Sequence, residues 1–151
     1  MPGKHSIACG SLLAAIAVAL GAFGAHGLKP RLESRFADLD EQRRIEEVSK
    51  SIDQWHTGAH YHFGHAGAMV LSGAAAWRLR PGARKAAVIG FVVGILLFSG
   101  GLYLYVLGGP AWLVHVVPIG GMAFILGWVA LAASALSTRE HPGPRQPPGT
   151  P

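Results

Sequence analysis

Apolar positions in this chain come in four long runs, at residues 7–26, 59–79, 86–107 and 113–136, with Asp, Glu, Lys and Arg almost absent from them. A helix that crosses the hydrocarbon of a bilayer needs about 20 mostly apolar residues, because every backbone amide must find its partner inside the segment. Each run has that length. The pattern predicts an all-α fold: an integral-membrane four-helix bundle threaded up-down-up-down, with a short N-terminal segment (1–6), a membrane domain (7–137) and a Pro- and Gly-rich tail (138–151) too poor in apolar residues to fold.

Between the first and second runs, residues 29–57 form an amphipathic loop. Leu32, Phe36 and Leu39 share one helical face, and Ile45, Val48, Ile52 and Trp55 share another in a different phase, which predicts two short helices. Asp38 and Glu41 offer a capping box for the second, and Glu46 with Lys50 an ion pair at i,i+4 spacing. Such a segment either lies on the headgroups or closes over the histidines that follow. The first reading needs nothing beyond amphipathicity and is preferred.

Small residues recur along each run, where they let helices approach closely. Ser11, Ala15, Ala19, Ala22 and His26 stripe the first; Ala68 and Ser72 continue a face of the second with Tyr61 and His65. Ala87, Gly90, Gly94 and Gly101 stripe the third, and Gly120, Ala123, Gly127, Ala130 and Ser134 the fourth. The first stripe favours a retained span over a cleavable signal peptide, for which Lys4 and Ala22-Phe23-Gly24 supply the alternative. Pro118 suits the first turn of the fourth helix.

Composition sharpens this picture. Of 151 residues, 50% are hydrophobic and only 14% charged, and the mean hydropathy is +0.34. The net charge of +5 sits beside the apolar runs, where basic residues anchor helices to headgroups, so the expected partner is the lipid bilayer and not nucleic acid. Arg78, Arg80, Arg84 and Lys85 around Pro81-Gly82 form a short basic hairpin, which by the positive-inside rule puts that hairpin and both termini in the cytoplasm. Cys9 has no second cysteine to pair with and is expected to pack as a small apolar residue.

Candidate chemistry concentrates at one end of the bundle. Up-down-up-down threading brings His26, His56, His60, His62, His65, Tyr103, Tyr105 and His115 toward the same membrane face. Neutral imidazole binds zinc, copper, iron or nickel, and His60-x-His62-x-x-His65 with His26 or His115 is a candidate metal or haem set. A proton or ion path is a second reading, although no ionisable group continues into the other half of the spans. The simplest reading is that His26, Tyr61, His65 and Ser99 form a polar cluster that bonds helices together. A catalytic role lacks a nucleophile-base pair, paired carboxylates or a phosphate loop, so no enzyme is expected.

Gly21-Ala22-Phe23-Gly24-Ala25-His26, Thr57-Gly58 with Tyr61 and His65, Leu97-Phe98-Ser99-Gly100 with Leu102-Tyr103, and Pro118 with Gly120-Gly121, Phe124 and Gly127-Trp128 resemble the signature of the YgdD-like small inner-membrane proteins, domain of unknown function 423, which have a eukaryotic transmembrane relative. The resemblance runs in order from the first run through the fourth. It implies a multi-pass protein of the bacterial plasma membrane and brings no established activity, cofactor or catalytic residue. Gly101 stands where a serine is common and Val117 where a threonine often precedes the proline. A structural, assembly or binding module, joined to another membrane protein or to itself, is the expected role; the His-lined metal, haem or ion site is its alternative.

Overall fold

The computed structural model describes residues 3–136, and within them every regular element is helical. The order is α1 (Lys4–His26), α2 (Leu28–Arg35), α3 (Glu41–Ala74), α4 (Pro81–Gly94), a π-helical turn (Ile95–Ser99), α5 (Gly100–Val106) and α6 (Leu113–Leu136). The tail expected to be disordered lies outside the described residues.

A seven-residue rhythm explains the packing. In α3 the buried residues Val48, Ser51, Trp55, Gly58, His62, His65, Met69 and Ser72 alternate spacings of three and four. That is the heptad seam, which keeps one face of a helix turned toward its neighbours over its whole length. In α1, Gly10, Ala17 and Gly24 are buried at intervals of seven, and in α6 Leu113, Gly120, Gly127 and Ser134 do the same.

The seam makes α3 one unbroken helix of 34 residues. At 1.5 Å per residue it is about 51 Å long, well beyond the thickness of a bilayer core. The second short helix expected in the loop is therefore the first third of α3, running straight into the expected span. Its N-cap is Asp40, whose side chain accepts from the Arg43 amide at 3.0 Å, so the cap lies two residues beyond the expected Asp38. Lys50 pairs with Glu47 at 3.7 Å and not with Glu46.

Among the described residues, three helical rods are long and apolar enough to cross a membrane: Lys4–His26, Pro81–Val106 and Leu113–Leu136. The α3 helix does not join them. It ends at Ala74, short of the expected residue 79, and its apolar half carries His60, His62 and His65. Large side chains such as Leu12, Val18, Leu96, Ile125, Leu126 and Val129 are exposed on the three rods, as lipid-facing positions should be. Trp77 and Trp112, also exposed, mark opposite ends, where indoles favour the headgroup level.

Neighbouring rods run antiparallel. Along α1 and α3, Gly10 lies against Ala66 and Met69 while Gly24 lies against Trp55. Along α4, α5 and α6, Gly90 meets Gly127, Gly94 meets Phe124 and Gly101 meets Val117. Gly58 of α3 faces Leu102 and Tyr103 of α5.

The face of α1 differs from the one expected. Ala15, Ala19, Ala22 and His26 are exposed, and Gly10, Ala17 and Gly24 take the contact instead. Two small-residue stripes compete on this helix, and the one with glycines allows the closer approach: a Cβ on Gly10 would stand 2.7 Å from the Ala66 carbonyl oxygen. Cys9 is exposed as well.

At the loop end, α2 packs its apolar face onto the bundle. Leu28 and Leu32 are fully buried in a cluster with Val48, Trp55, Tyr103 and Val106, so α2 plugs the end of the bundle. Arg35 fastens it by donating from Nη1 to the Val106 carbonyl at 2.7 Å, satisfying an acceptor at the C-terminus of α5. At the other end the expected hairpin is shorter than its basic residues, because Pro81 occupies the first turn of α4 and carries Arg84 and Lys85 onto the helix. Arg84 donates to Ser6 Oγ at 3.1 Å, and Ser134 Oγ donates to the Arg80 carbonyl at 3.0 Å. Pro118 lies inside α6 and not in its first turn, because the helix already starts at Leu113.

Candidate functional site

The α3 seam decides which histidines enter the protein. His62 and His65 lie on it and are buried; His60, one step off, is exposed, as are His26 and His115. The candidate metal set His26, His60, His62, His65 and His115 is thus not assembled. Among the described residues, no group of three or more His, Cys, Asp or Glu is placed to hold one ion.

His65 is the centre of what the structure does assemble. Its Nε2 accepts from the Trp128 indole Nε1 at 3.1 Å. An indole nitrogen only donates, so Nε2 carries the lone pair and Nδ1 the proton. Nδ1 then donates to the Tyr61 carbonyl at 2.7 Å, one turn back on the same helix. Both nitrogens are committed, and the ring is a neutral bridge between α3 and α6.

Aromatic rings enclose that bridge. The imidazole stacks on Phe124, with centroids 3.5 Å apart and planes 12° from parallel. Phe91 lies 5.5 Å away and Tyr61 5.8 Å. Phe98 in turn packs on Tyr61 at 4.8 Å and on Phe124 at 5.7 Å, so rings from α3, α4, the π turn and α6 meet in one cluster. Glycine makes the approach possible: a Cβ on Gly94 would overlap the Phe124 ring, and one on Gly127 would stand 2.8 Å from Phe91.

Of the expected polar cluster His26, Tyr61, His65 and Ser99, only Tyr61 and His65 are in contact. His26 lies exposed at the end of α1, because its stripe faces outward. Ser99 is fully buried at the end of the π turn, with no hydrogen-bond partner for its Oγ among the described residues. The π turn closes with Gly100 N–H donating to the Ile95 carbonyl, and it presses toward α6 where a Cβ on Gly120 would overlap the Phe98 amide nitrogen. Such turns often mark functional positions.

The expected packing residues divide in the same way. Ala68, Ser72, Gly94, Gly120 and Gly127 are buried, and Gly90 is half-buried against Gly127, whereas Ala15 and Ala19 are not in the core.

A second polar group lies toward the loop end. His62 is 4% exposed, and neither of its ring nitrogens has a partner among the described residues; the Tyr103 hydroxyl, its ring centroid 6.2 Å from that of His62, is likewise buried without one. Next to it, Trp55 donates from Nε1 to the Leu20 carbonyl at 2.9 Å and packs between Phe23 and Tyr103. Sequence reasoning missed Trp55, Phe91 and Trp128 as partners in these sites. For Trp55 the signal was the alternating three-four spacing of α3, which Ser, Gly and His conceal from a count of apolar residues; Phe91 and Trp128 lie on α4 and α6, outside that pattern.

Comparison with known proteins agrees with the resemblance read from the motifs. The profile of the family described as "Protein of unknown function (DUF423)" matches residues 20–121. The UPF0382 membrane protein YwdK of Bacillus subtilis is 33% identical over 135 residues, covering 88% of this chain and 97% of the relative. A UPF0382 membrane protein of Haemophilus influenzae is 33% identical over 123 residues, covering 82% of this chain and 86% of the relative. One from Staphylococcus aureus is 32% identical over 128 residues, covering 85% and 92%. No solved structure matches this chain. Gly101 and Val117, where the sequence departs from the resembled motif, face each other across α5 and α6, where a Cβ on Gly101 would stand 3.1 Å from Val117, so both departures fall on one apolar contact. With its profile match, its membrane-protein relatives and its apolar rods in agreement, the chain belongs to the DUF423 family of small membrane proteins.

Proposed function

We propose that this protein is a four-span, non-catalytic assembly module of the bacterial plasma membrane, in which the buried imidazole of His65 holds helices together and an open face of α1 receives another membrane helix. The apolar half of α3 serves as the fourth span: it packs against α1, α4 and α5, and His62 and His65 are buried while His60 is exposed. The basic residues around Arg78 and Arg80 favour a cytoplasmic hairpin and cytoplasmic termini.

The observation that carries the assembly reading is the second small-residue stripe of α1. Ser11, Ala15, Ala19 and Ala22 point away from α3, at a spacing of four or three, and remain exposed. Small residues at such spacing let a neighbouring helix approach closely in lipid. Against a metal or haem role stand the two committed nitrogens of His65 and the separation of the exposed His26, His60 and His115.

Cysteine cross-linking in native membranes tests this. With Cys9 replaced by Ser, a cysteine at Ser11 or Ala22 should give one discrete cross-linked species, either a dimer or a defined heteromer, which A15L/A19L abolishes without loss of helix content. A monomer at every position, or stoichiometric metal or a haem absorption band in the purified protein, would overturn the reading.

A further inference from the structure

A groove of about 670 Å³ runs along α3 where it leaves the bundle, and its lining changes character from one end to the other. One end is walled by Glu46, Lys50 and Asp53, the other by Phe98, Leu102 and Val117. The levels follow from the packing. Trp55 bonds to Leu20, a turn and a half before α1 ends at His26, so Asp53 stands near the end of that span. At 1.5 Å per residue, Lys50 and Glu46 lie about 4.5 and 10.5 Å farther along α3, while Phe98, Leu102 and Val117 lie beside the apolar rods. The groove therefore crosses from headgroup depth to acyl depth, with polarity graded to match.

Its charges are not balanced from within. Lys50 is held by Glu47 at 3.7 Å. Glu46 accepts only from the Gln42 amide at 3.1 Å, and the Asp53 carboxylate has neither an ion pair nor a hydrogen bond among the described residues; Thr57 bonds instead to the Asp53 backbone carbonyl. Residues 46 and 53 are seven apart and share a face of α3, so two carboxylates without a cationic partner stand above an apolar wall, with one lysine between them.

We propose that this groove is a binding site for a phospholipid with a primary-amine headgroup. The acyl chain lies along Phe98, Leu102 and Val117, and the headgroup follows the face of α3 that carries Asp53, Lys50 and Glu46, with the phosphate within the field of Lys50 and the ammonium drawn toward the carboxylates. Two carboxylates against one lysine disfavour a headgroup whose net charge is negative. The site depends on the membrane placement of the bundle and not on the assembly role of α1, so its failure leaves that role standing.

Native mass spectrometry of the full chain in detergent, with phosphatidylethanolamine or phosphatidylglycerol of identical acyl chains added separately, tests the site. Exposed ion pairs contribute little each. Attraction of the ammonium to the carboxylates, together with their repulsion of a net-negative headgroup, should give about a fivefold preference for the ethanolamine lipid in retained complex, which corresponds to about 1 kcal/mol. E46Q/D53N should remove the preference while leaving helix content and melting unchanged, and L102W should reduce retention of both lipids by filling the apolar end. Equal retention of the two lipids by the unaltered protein would overturn the proposal, as would an unchanged preference in E46Q/D53N.

Discussion

The indole of Trp128 on α6 donates to Nε2 of His65 on α3, and through that bond the buried imidazole is fixed as a neutral ring with its Nδ1 proton on the Tyr61 carbonyl. Replacing Trp128 with Phe leaves Nε2 buried and unpaired. Interhelical polar bonds in membrane bundles average about 0.6 kcal/mol, and a stranded acceptor adds to that, so a loss of about 1 kcal/mol is expected. A double-mutant cycle of Trp128→Phe with His65→Phe, followed by denaturant titration in detergent, should return a coupling of about 0.6 kcal/mol. Strict additivity would mean that the bond does not form.

Substitution at Gly24 should act through Trp55. A Cβ at 24 would stand 2.5 Å from Cδ1 of the indole, so Gly24→Ala displaces a ring that fills the end of the bundle. The expected cost is about 1–3 kcal/mol, typical of overpacking. Trp55→Phe, with its smaller ring, should absorb part of that cost, so the pair of changes is less destabilising than the sum of the singles. Thermal unfolding of the four proteins measures this.

Two small-residue positions should separate cleanly. Gly90 lies where α4 crosses α6, with a notional Cβ 2.9 Å from the Gly127 Cα, whereas Ala15 is exposed on α1. Gly90→Leu should lower stability by about 2 kcal/mol or prevent folding, in the range of overpacked cores. Ala15→Leu should stay within about 0.5 kcal/mol, as surface changes do. Equal stability of the two variants in detergent would mean that the crossing is not where the structure puts it.

His62 provides the opposite sign. Its ring nitrogens are buried without partners, and an apolar side chain of similar size removes that cost. His62→Leu should therefore be neutral or more stable by about 1 kcal/mol. His65→Leu, which breaks two hydrogen bonds and strands the Trp128 donor, should be less stable. Chemical unfolding of both variants decides; a strongly destabilised His62→Leu would show that His62 bonds to something essential in the working protein.

Removing the Arg35 guanidinium should loosen the end plug. Arg35→Ala deletes the donor to the Val106 carbonyl at 2.7 Å, a charge-assisted bond at the C-terminus of α5. The expected loss is about 1 kcal/mol, with faster proteolysis between α2 and α3 than in the unaltered protein. An unchanged cleavage rate would show that Leu28 and Leu32 hold α2 without it.

Much of the candidate site was hidden for a specific reason. His65 was visible as an inward residue, but its partners Trp128 and Phe124 lie about sixty residues away on a helix whose own stripe had been read from glycines and alanines. His26 drew attention as a polar end to a small-residue face, and that face proved to be the outer one. His60 and His62 differ by only two positions, yet the seam buries one and leaves the other exposed.

The sequence alone determined three of the long apolar rods and the small-residue faces of α4 and α6, because each follows from local quantities: length against bilayer thickness, charge beside apolar runs, and the absence of a Cβ. Only the tertiary structure decided which of two small stripes on α1 is buried, that α3 runs unbroken from the loop into the bundle, and that His65 meets Trp128. Those outcomes depend on how distant side chains share one space, and a glycine stripe that admits Trp55 competes successfully with an alanine stripe that admits nothing so large.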